Sequence, residues 1–571
     1  MKYDLLRGAS KRSFCFIKKL QKAFFNKILF FTLLTTGIVI CIASVKMKGE
    51  VPMFRLNMKT QPKTFDPRKA GDVFSSQMIF LLFEGLVKRY PDGSIKLAQA
   101  ESYELSEDNL QITFRLRDTV WSDNTPVTAY DFEQSWKDIL DPKFPSLQSK
   151  LFSPIKNADA AKQGLIPPDE IGIKAIDAKT LKITLDKPTP YLFDLLACSS
   201  FFPVNIKNDR QNSDWADRAG LNFLCNGPYL LEKWDHENQI IAISNPYYRK
   251  TQDLRPKKII FNVIKNDQIT LQMFEKGAID VIGDSLTSIP LDAVPSLEKK
   301  WTISRKPRAS TLLITLNTEK FPFNHPKICR AFGLAIDRQE LIGSSGKGVK
   351  KSILTDYINI AYQASLAATN LVPPCLKENR HRSFFKDNDV VQAKNLLEEA
   401  MTELGVNREI FDPVILYYYS RSFGAAELIQ TIQQQWLNAL GILIKTEYLD
   451  SKTGMNKLIK GDYHMCFMRR DALYNDPMSV LERFKYKDYI KNYSNWESQE
   501  YIRLLDKSFY EQSDARSQTL EQAEKIFLNE MPVIPLYHED YIYIINPDLK
   551  YKVPLSGDRL LLPVSFEDQG L

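Results

Sequence analysis

One segment, FRLRDTVWSDNTPVTAYDFEQSW, constrains the fold of this chain more than any other. Apolar and polar side chains alternate over residues 114–120, which predicts a half-buried strand. Residues 122–126 are small polar side chains followed by a proline, the composition of a tight turn. Thr128 stands three residues before Asp131, as in the capping box that begins a helix. One face of this helix is apolar and is assigned to the core, with Phe132, Trp136, Ile139 and Leu140 on it.

Strand and helix patterns alternate through the second half of the chain. Two long helical patterns are each followed by a stop signal, at Gly405 and Gly441. With 571 residues the chain is too long for one ordinary core, so two or three domains are expected. The alternation predicts an α/β fold in which helices flank the sheets. The predicted elements are strands at 312–317, 414–419 and 442–448 and helices at 327–337, 390–404 and 425–440.

The net charge of +7 lies entirely in the first 27 residues, which hold eight Lys or Arg side chains and one acid, Asp4. The rest of the chain is neutral overall. A nucleic-acid-binding protein needs a basic surface on its folded part, so nucleic acid is excluded as a partner. An uncharged run of eighteen residues, 28–45, follows the basic segment. This order is typical of an export signal whose basic end stays in the cytoplasm.

Residues 1–45 therefore predict a signal peptide or an N-terminal membrane anchor. The apolar run is near the lower length limit for a membrane span, and small residues at Cys41 and Ala43 offer a cleavage site before Ser44. A lipid-modified Cys41 is disfavoured because Ile40, before it, is too large for the usual lipoprotein signal. Cleavage before Ser44 and retention of the segment as a membrane anchor both stay open. In either one the body is exported to the periplasm, and a retained segment would anchor it to the cytoplasmic membrane.

Catalytic and metal-binding motifs do not stand out. The sequence has no GxSxG, no HExxH and no GxGxxG after a strand. Its five histidines are scattered without ligand spacing, so we predict no metal site. No cofactor is expected. A binding protein is therefore favoured over an enzyme.

The 114–136 segment and six further motif groups, in the same order along the chain, resemble the extracytoplasmic solute-binding proteins of peptide ABC transporters, family 5. The resemblance spans about residues 54 to 560, nearly the whole exported body. One such motif would be weak support, whereas the ordered set is specific. The motifs are FDP at 65–67 with LFEGL at 82–86, NGPY at 226–229, GAID at 277–280, RAFGLAIDR at 330–338, AKNLLEEA at 393–400 and PVIPLY at 532–537.

The resemblance implies a two-lobed α/β periplasmic-binding-protein fold of type II, or cluster C-like, with a hinge and three domains. An extended peptide lies between the closing lobes and pairs through its main chain with protein strands. The implied partners are an oligopeptide and the transmembrane subunits of an ABC permease, and the chain is expected to be a monomer. The implied domains are domain I of lobe 1 at 46–83, 204–309 and 541–571, domain II of lobe 1 at 84–203, and domain III of lobe 2 at 310–540.

Cys198 and Cys225 flank two family-like segments near the implied junction of domains I and II. An exported location permits disulfides. The resemblance therefore makes these two cysteines a candidate pair, although sequence alone cannot fix the connectivity.

Residues 463–481 match the ligand-contact block of the family. In oligopeptide-binding members an aspartate of this block grips the peptide α-ammonium, and here Leu473 stands in its place. A leucine cannot pair with a buried cation. Arg470 and Asp471 replace an aromatic–cysteine pair. Three candidate ligand contacts match the family pattern unchanged: Tyr474, Asn475 and Asp476.

Two interpretations of this departure stay open. In one, Asp471 or Asp72 takes over the ammonium, and free peptides are still bound. In the other, the ligand has no ammonium there or carries a carboxylate that Arg469 or Arg470 pairs bidentately, as muropeptide fragments would. A third interpretation is an exported scaffold or adhesin that has lost its ligand. Two further candidates follow a strand end, near the far end of the peptide: Tyr417 and Arg421.

Overall fold

The computed structural model describes residues 53–90, 93–283, 286–342, 366–376, 382–418, 425–489, 491–547 and 549. The predicted leader at 1–45 and the candidate Arg421 lie outside these residues. The elements below belong to one compact unit that begins at Phe54, within the first strand. Within the described part of the chain, every helix is too short or too polar to cross a membrane.

Strands are numbered along the described chain. They are β1 Met53–Met58, β2 Val87–Arg89, β3 Ile95–Leu97, β4 Ala100–Leu105, β5 Gln111–Leu116, β6 Ile173–Asp177, β7 Thr180–Thr184, β8 Tyr229–Asp235, β9 Gln239–Ser244, β10 Lys258–Val263, β11 Val281–Gly283, β12 Ser304–Leu316, β13 Leu366–Ala367, β14 Ile415–Tyr418, β15 Lys445–Tyr448, β16 Met465–Asp471 and β17 Val533–Ile545.

Helices are numbered in the same way. They are α1 Val73–Leu82, α2 Ala129–Leu140, α3 Ala158–Lys162, α4 Leu192–Leu196, α5 Ile206–Gln211, α6 Asp267–Glu275, α7 Val294–Leu297, α8 Pro326–Leu334, α9 Arg338–Leu341, α10 Val390–Leu404, α11 Ala425–Leu440, α12 Ser451–Lys460, α13 Met478–Leu481, α14 Gln499–Lys507 and α15 Ser513–Glu530.

The described strands form a central sheet and three smaller ones. The central sheet has the order β11-β17-β12-β16-β14-β15, with β13 paired to β17. In it, β14 runs parallel to β15 and β16, while β12 is antiparallel to both β16 and β17. The smaller sheets have the orders β1-β10-β9-β8 and β4-β5-β7-β6, with β2-β3 as a separate pair. Helix α8 packs against α10, α15 and β17, so helices flank the central sheet as predicted.

The strand–turn–helix unit predicted at 114–136 is confirmed, with one boundary moved. Strand β5 ends at Leu116, and Val120 instead bridges Pro126 across the turn. Thr128 and Asp131 form the capping box of α2. Trp136 is fully buried, and its indole N–H donates to the Phe201 carbonyl at 3.1 Å. The apolar face is therefore core.

The two long helices predicted in the second half are also confirmed. Helix α10 ends at Gly405, with φ +66°, and α11 is followed by Gly441, with φ +68°. A left-handed conformation is strained for residues with a side chain, so glycine is favoured at these two positions. The helix predicted at 327–337 is observed as α8, which ends at Leu334, and a second short helix, α9, begins only at Arg338.

Two thirteen-residue strands, β12 and β17, run through the central sheet side by side. One end of the pair joins residues 304–307 to 540–543, and the other joins 311–315 to 533–538. The register shifts between Pro307 and Thr311, so the ladder is interrupted there. The implied domain boundaries at 309/310 and 540/541 fall at this interruption, and the division into domains stays a prediction.

Helix α15 anchors the segment 366–376 through a buried carboxylate. Glu524 Oε1 accepts hydrogen bonds from the backbone N–H groups of Leu371 at 2.5 Å and Val372 at 2.9 Å. The side chain is 3% exposed, and this burial raises the pKa of Glu524 to about 7. His538 of β17 holds the same segment, since its Nε2 lies 3.0 Å from Asn370 Oδ1.

We expect Glu524→Gln to stabilise the protein at pH 8 and to leave it unchanged at pH 4. The folded pKa, about 7, is raised above the ordinary 4.5 of the unfolded chain. The stability contributed by the neutral acid is therefore complete below about pH 4.5 and is lost as pH rises through 7. Glutamine keeps the acceptor and cannot ionise, so the free energy of unfolding should rise by roughly 1–3 kcal/mol at pH 8.

Denaturant unfolding at the two pH values measures this effect. Glu521→Gln is the matched control, because Glu521 lies on the same helix but pairs with Arg382 at 3.0 Å. A loss of stability in Glu524→Gln at pH 8 would contradict the prediction.

Candidate functional site

The candidate site is built on β16 and the turn that follows it. Ser479 Oγ accepts from the backbone N–H groups of Leu473 at 2.6 Å and Tyr474 at 3.3 Å. Asp476 Oδ1 accepts from the Met478 N–H at 2.9 Å, which begins α13. These short-range bonds turn the chain sharply at the end of β16 and fix the predicted contact residues at the surface of the central sheet.

Asp476 is held by Arg516 of α15 in a two-pronged ion pair. Both contacts, Nη1 to Oδ2 and Nη2 to Oδ1, measure 2.8 Å. The two side chains are 1% and 3% exposed. The structure therefore uses the Asp476 carboxylate to hold the turn, whereas the sequence had suggested a ligand contact. Asn475 is half-buried in the same turn.

Asp471 lies among arginines on one face of β16. Arg308 of β12 reaches its Oδ1 from Nη2 at 2.8 Å and from Nε at 3.0 Å, and Arg469 Nε lies 3.4 Å from Oδ2. Burial raises the pKa of Asp471, but the two guanidinium groups outweigh it and lower this pKa to about 2. Both arginines also reach Glu539 Oε2, at 3.5 and 3.8 Å. Two cations and two carboxylates thus balance on this face.

Arg470 lies on the opposite face, because successive side chains of a strand alternate. Its Cζ is 4.6 Å from the centre of the Tyr493 ring, and its Nη2 is buried without a hydrogen-bond partner among the described residues. Arg483 Nη2 donates to the Asp471 carbonyl at 2.7 Å. The sequence reasoning missed Arg483 and Lys491; the position of Arg483 two residues after the ligand-contact block was the available signal.

A segment from the first half of the chain covers the turn after β16. The Tyr191 ring stacks on Tyr474, with centres 4.9 Å apart and planes 14° from parallel. Lys187 Nζ lies 3.6 Å from the centre of the Phe509 ring. Cys198 Sγ lies 3.5 Å from the Leu473 carbonyl. Leu473 itself is half-buried against the main core, so an apolar contact stands where the family places an ammonium anchor.

The candidate disulfide between Cys198 and Cys225 is wrong. Cys225 is a free, fully buried thiol whose Sγ contacts the Tyr229 carbonyl at 3.5 Å, and burial raises its pKa to about 12. Cys198 Sγ instead faces the Asp194 and Leu473 carbonyls, both at 3.5 Å. The two sulfur atoms belong to different packing environments although the resemblance placed both near one junction.

The remaining candidates are distributed around the site rather than gathered in it. Asp72 caps α1, since its carboxylate accepts from the Ser75 N–H at 3.0 Å and from the Ser75 hydroxyl at 2.7 Å. Tyr417 of β14 lies under Lys457 of α12, whose Nζ is 4.9 Å from the ring centre. The structure therefore assigns Asp72 a capping role and places Tyr417 beside a cation.

A sequence model of the family described as "Bacterial extracellular solute-binding proteins, family 5 Middle" matches residues 94–492. The oligopeptide-binding protein OppA of Bacillus subtilis is 32% identical over 88% of this chain and 90% of its own length. The periplasmic murein peptide-binding protein MppA of Escherichia coli is 28% identical, with coverages of 86% and 89%. The solved structure of the Escherichia coli murein tripeptide binding protein MppA superposes with a TM-score of 0.74 at 26% identity, covering 90% of this chain and 97% of that one.

We expect Asp476→Asn to destabilise the protein strongly. The substitution leaves the Arg516 cation buried without its carboxylate, which typically costs about 3–5 kcal/mol. Denaturant unfolding measures the change in free energy. Glu500→Gln is the control, because it breaks an exposed ion pair with Arg503 and should leave the midpoint unchanged. A fully stable Asp476→Asn protein would show that this pair does not hold the turn.

Proposed function

Because the chain belongs to the bacterial extracellular solute-binding proteins of family 5, we propose that it captures oligopeptides outside the cytoplasmic membrane and delivers them to an ABC importer. The binding site is the cleft between residues 187–198 of the proposed lobe 1 and the turn after β16 in the proposed lobe 2. The contact of Tyr191 with Tyr474 across this cleft is the observation that carries the proposal. A carrier needs such a closing surface, whereas a rigid scaffold does not.

One edge of β16 suits main-chain recognition of a peptide. Strand β12 pairs with all of β16 up to Asp471, but within the described residues β14 pairs with it only up to Phe467. We propose that a peptide adds as a strand beside residues 468–471, on the side that β14 occupies up to Phe467. Strand addition uses groups that every peptide has, so it supports a carrier that tolerates many sequences.

Closure around the ligand would use the interruption in the β12–β17 ladder as its hinge. Strands β12 and β17 both run through this point, and their register already shifts there. The described contacts across the cleft include a ring stack, a cation over a ring, a thiol–carbonyl contact and an ion pair of Lys187 with Asp506 at 3.6 Å. Both partners of this ion pair are partly exposed, so these contacts can separate without stranding a fully buried charge. Hinge bending of this kind is the family mechanism that the resemblance implies.

The anchor for the peptide N-terminus is the point on which the two peptide interpretations differ. Asp471 is already paired with Arg308, and Asp72 caps α1. Both carboxylates are therefore already engaged by protein groups and do not offer an anchor for the ligand's ammonium group. Together with Leu473, this favours a ligand whose amino terminus is not gripped by a carboxylate. Muropeptides are the second candidate ligand, favoured by the buried Nη2 of Arg470, which a ligand carboxylate can accept from.

We expect the exported body, residues 44–571, to bind short peptides one-to-one, and to bind N-acetylated peptides about as tightly as free ones. Native mass spectrometry gives the stoichiometry, and calorimetry gives the affinities. A loss of about tenfold or more on acetylation, about 1.4 kcal/mol, would reveal an ammonium anchor. Asp471→Asn would then show whether that anchor is Asp471. Binding of muropeptides alone would select the second candidate, and no binding would leave the scaffold interpretation.

We expect Tyr191→Ala to weaken ligand binding by roughly 2- to 10-fold. The ring stack across the cleft stabilises the closed form by about 0.5–1.5 kcal/mol beyond the area it buries. Tyr191→Phe keeps the stack and serves as the matched control. Small-angle scattering should show a smaller radius of gyration on ligand binding in the control than in the alanine variant. Tight binding without compaction in either protein would argue against the hinged mechanism.

A further inference from the structure

Three cationic side chains lie beside the turn after β16, outside the ion pairs described above. They are Arg470, Arg483 and Lys491, here called the Arg470 cluster. Burial and the nearby Arg470 lower the pKa of Arg483 to about 10. Burial lowers the pKa of Lys491 as well, with Arg483 and Arg470 adding to the effect. Within the described residues none of the three forms an ion pair with an Asp or Glu side chain.

Like charges this close oppose one another, so a fold gains nothing by gathering them unless something anionic compensates. On the other face of β16, carboxylates compensate the charges of the arginines. There, Arg308 and Arg469 are matched by Asp471 and Glu539. The balanced face holds the strands together. In the Arg470 cluster the Asp471 carboxylate raises the pKa of Arg483, but this carboxylate is already paired with Arg308 and Arg469.

Buried donors and aromatic rings complete the surroundings of the cluster. Arg470 lies over the Tyr493 ring, a contact that stabilises a cation while excluding water. The Tyr463 side chain is 3% exposed, and its hydroxyl has no hydrogen-bond partner among the described residues. Arg470 Nη2 is also buried without a hydrogen-bond partner among the described residues. Arg470 is close enough to affect the pKa of Tyr463. Each of these two buried groups can donate to an acceptor on a ligand.

The cluster borders the proposed cleft. Arg483 donates to the carbonyl of Asp471, at the end of the β16 edge proposed to pair with the peptide. The Tyr489 ring, whose pKa reflects burial and the nearby Arg483, lies 5.9 Å from Lys150 Nζ of the proposed lobe 1. A ligand strand lying along residues 468–471 would thus run beside the three cations.

We propose that the Arg470 cluster is an anion subsite that binds a carboxylate of the peptide ligand, so that this carrier selects acidic peptides. The subsite rests on the proposed peptide-binding function and adds the ligand's charge to it. Guanidinium groups pair with carboxylates through two parallel hydrogen bonds, a geometry that an amide reproduces poorly. The carboxylate is that of an acidic side chain of the peptide.

Matched peptides distinguish a side-chain carboxylate from the peptide C-terminus. Calorimetry on residues 44–571 would use a short alanine-rich peptide with one glutamate, its glutamine counterpart, and both as C-terminal amides, with the glutamate moved through each position. At least a tenfold loss of affinity is expected when the recognised carboxylate becomes an amide. A loss on Glu-to-Gln exchange supports the subsite, whereas a loss on amidation alone would assign the anion to the peptide C-terminus and overturn the selection for acidic peptides.

Variants of the cluster separate the subsite from general binding. Arg470→Gln combined with Lys491→Gln should abolish the preference for the carboxylate and keep the affinity for the neutral peptide. Arg470→Lys, which retains the charge, should keep a reduced preference even where the double variant is poorly folded. Arg503→Gln removes a cation from an exposed pair on α14 and should change neither value.

The outcomes are separable. If neutral and acidic peptides bind the native protein equally at every position, the subsite is refuted while the peptide-binding function stands. If no peptide binds at all, the proposed function fails and the subsite fails with it. A preference for acidic peptides that survives the double variant would place the anion elsewhere and would also overturn the assignment.

Discussion

The pairing of β12 with β17 is the interaction on which the rest of the structure depends. The two strands run from a small apolar cluster around Ile282 and Ile544 into the main core, where Leu313 and Ile314 are fully buried. Because β12 also pairs with β16, the same ladder fixes the position of the candidate site. Arg308 lies within the interruption of this ladder, and its guanidinium reaches Asp471. Fold and candidate site therefore depend on the same strand pairing.

The two faces of β16 differ in charge. We assign a structural role to the face on which cations and carboxylates balance, and a role in ligand binding to the other face. Arg469 and Arg470 are neighbours in sequence, yet one joins a balanced group of carboxylates and the other joins Arg483 and Lys491. A buried ion pair contributes little net stability, but removing one of its partners is strongly destabilising because the other charge is left unpaired. A buried charge without a partner is stable only when a ligand or aromatic surroundings compensate. The unbalanced face is accordingly where ligand specificity is expected to reside.

Leu473 shows how one position reorganises a binding site. With an apolar side chain in the place of an acid, the turn after β16 is covered by packing, through Tyr191 on Tyr474 and Cys198 against the Leu473 carbonyl. Such contacts are short-ranged and weakly directional, so they can close a cleft over different ligands. Ligand charge is then recognised beside the turn rather than at it.

The sequence by itself determined the local units and the family: the capped helix α2, the two helices ended by Gly405 and Gly441, and the order of the motifs. Each of these local elements depends on residues that are close together in the sequence, so a short segment is enough to predict it. Only the tertiary structure decided which charges meet. Arg308 and Asp471 are 163 positions apart and are joined by strand pairing. The same long-range packing placed Cys198 against Leu473 instead of Cys225, because contacts between distant segments are set by the sheet and not by spacing along the chain.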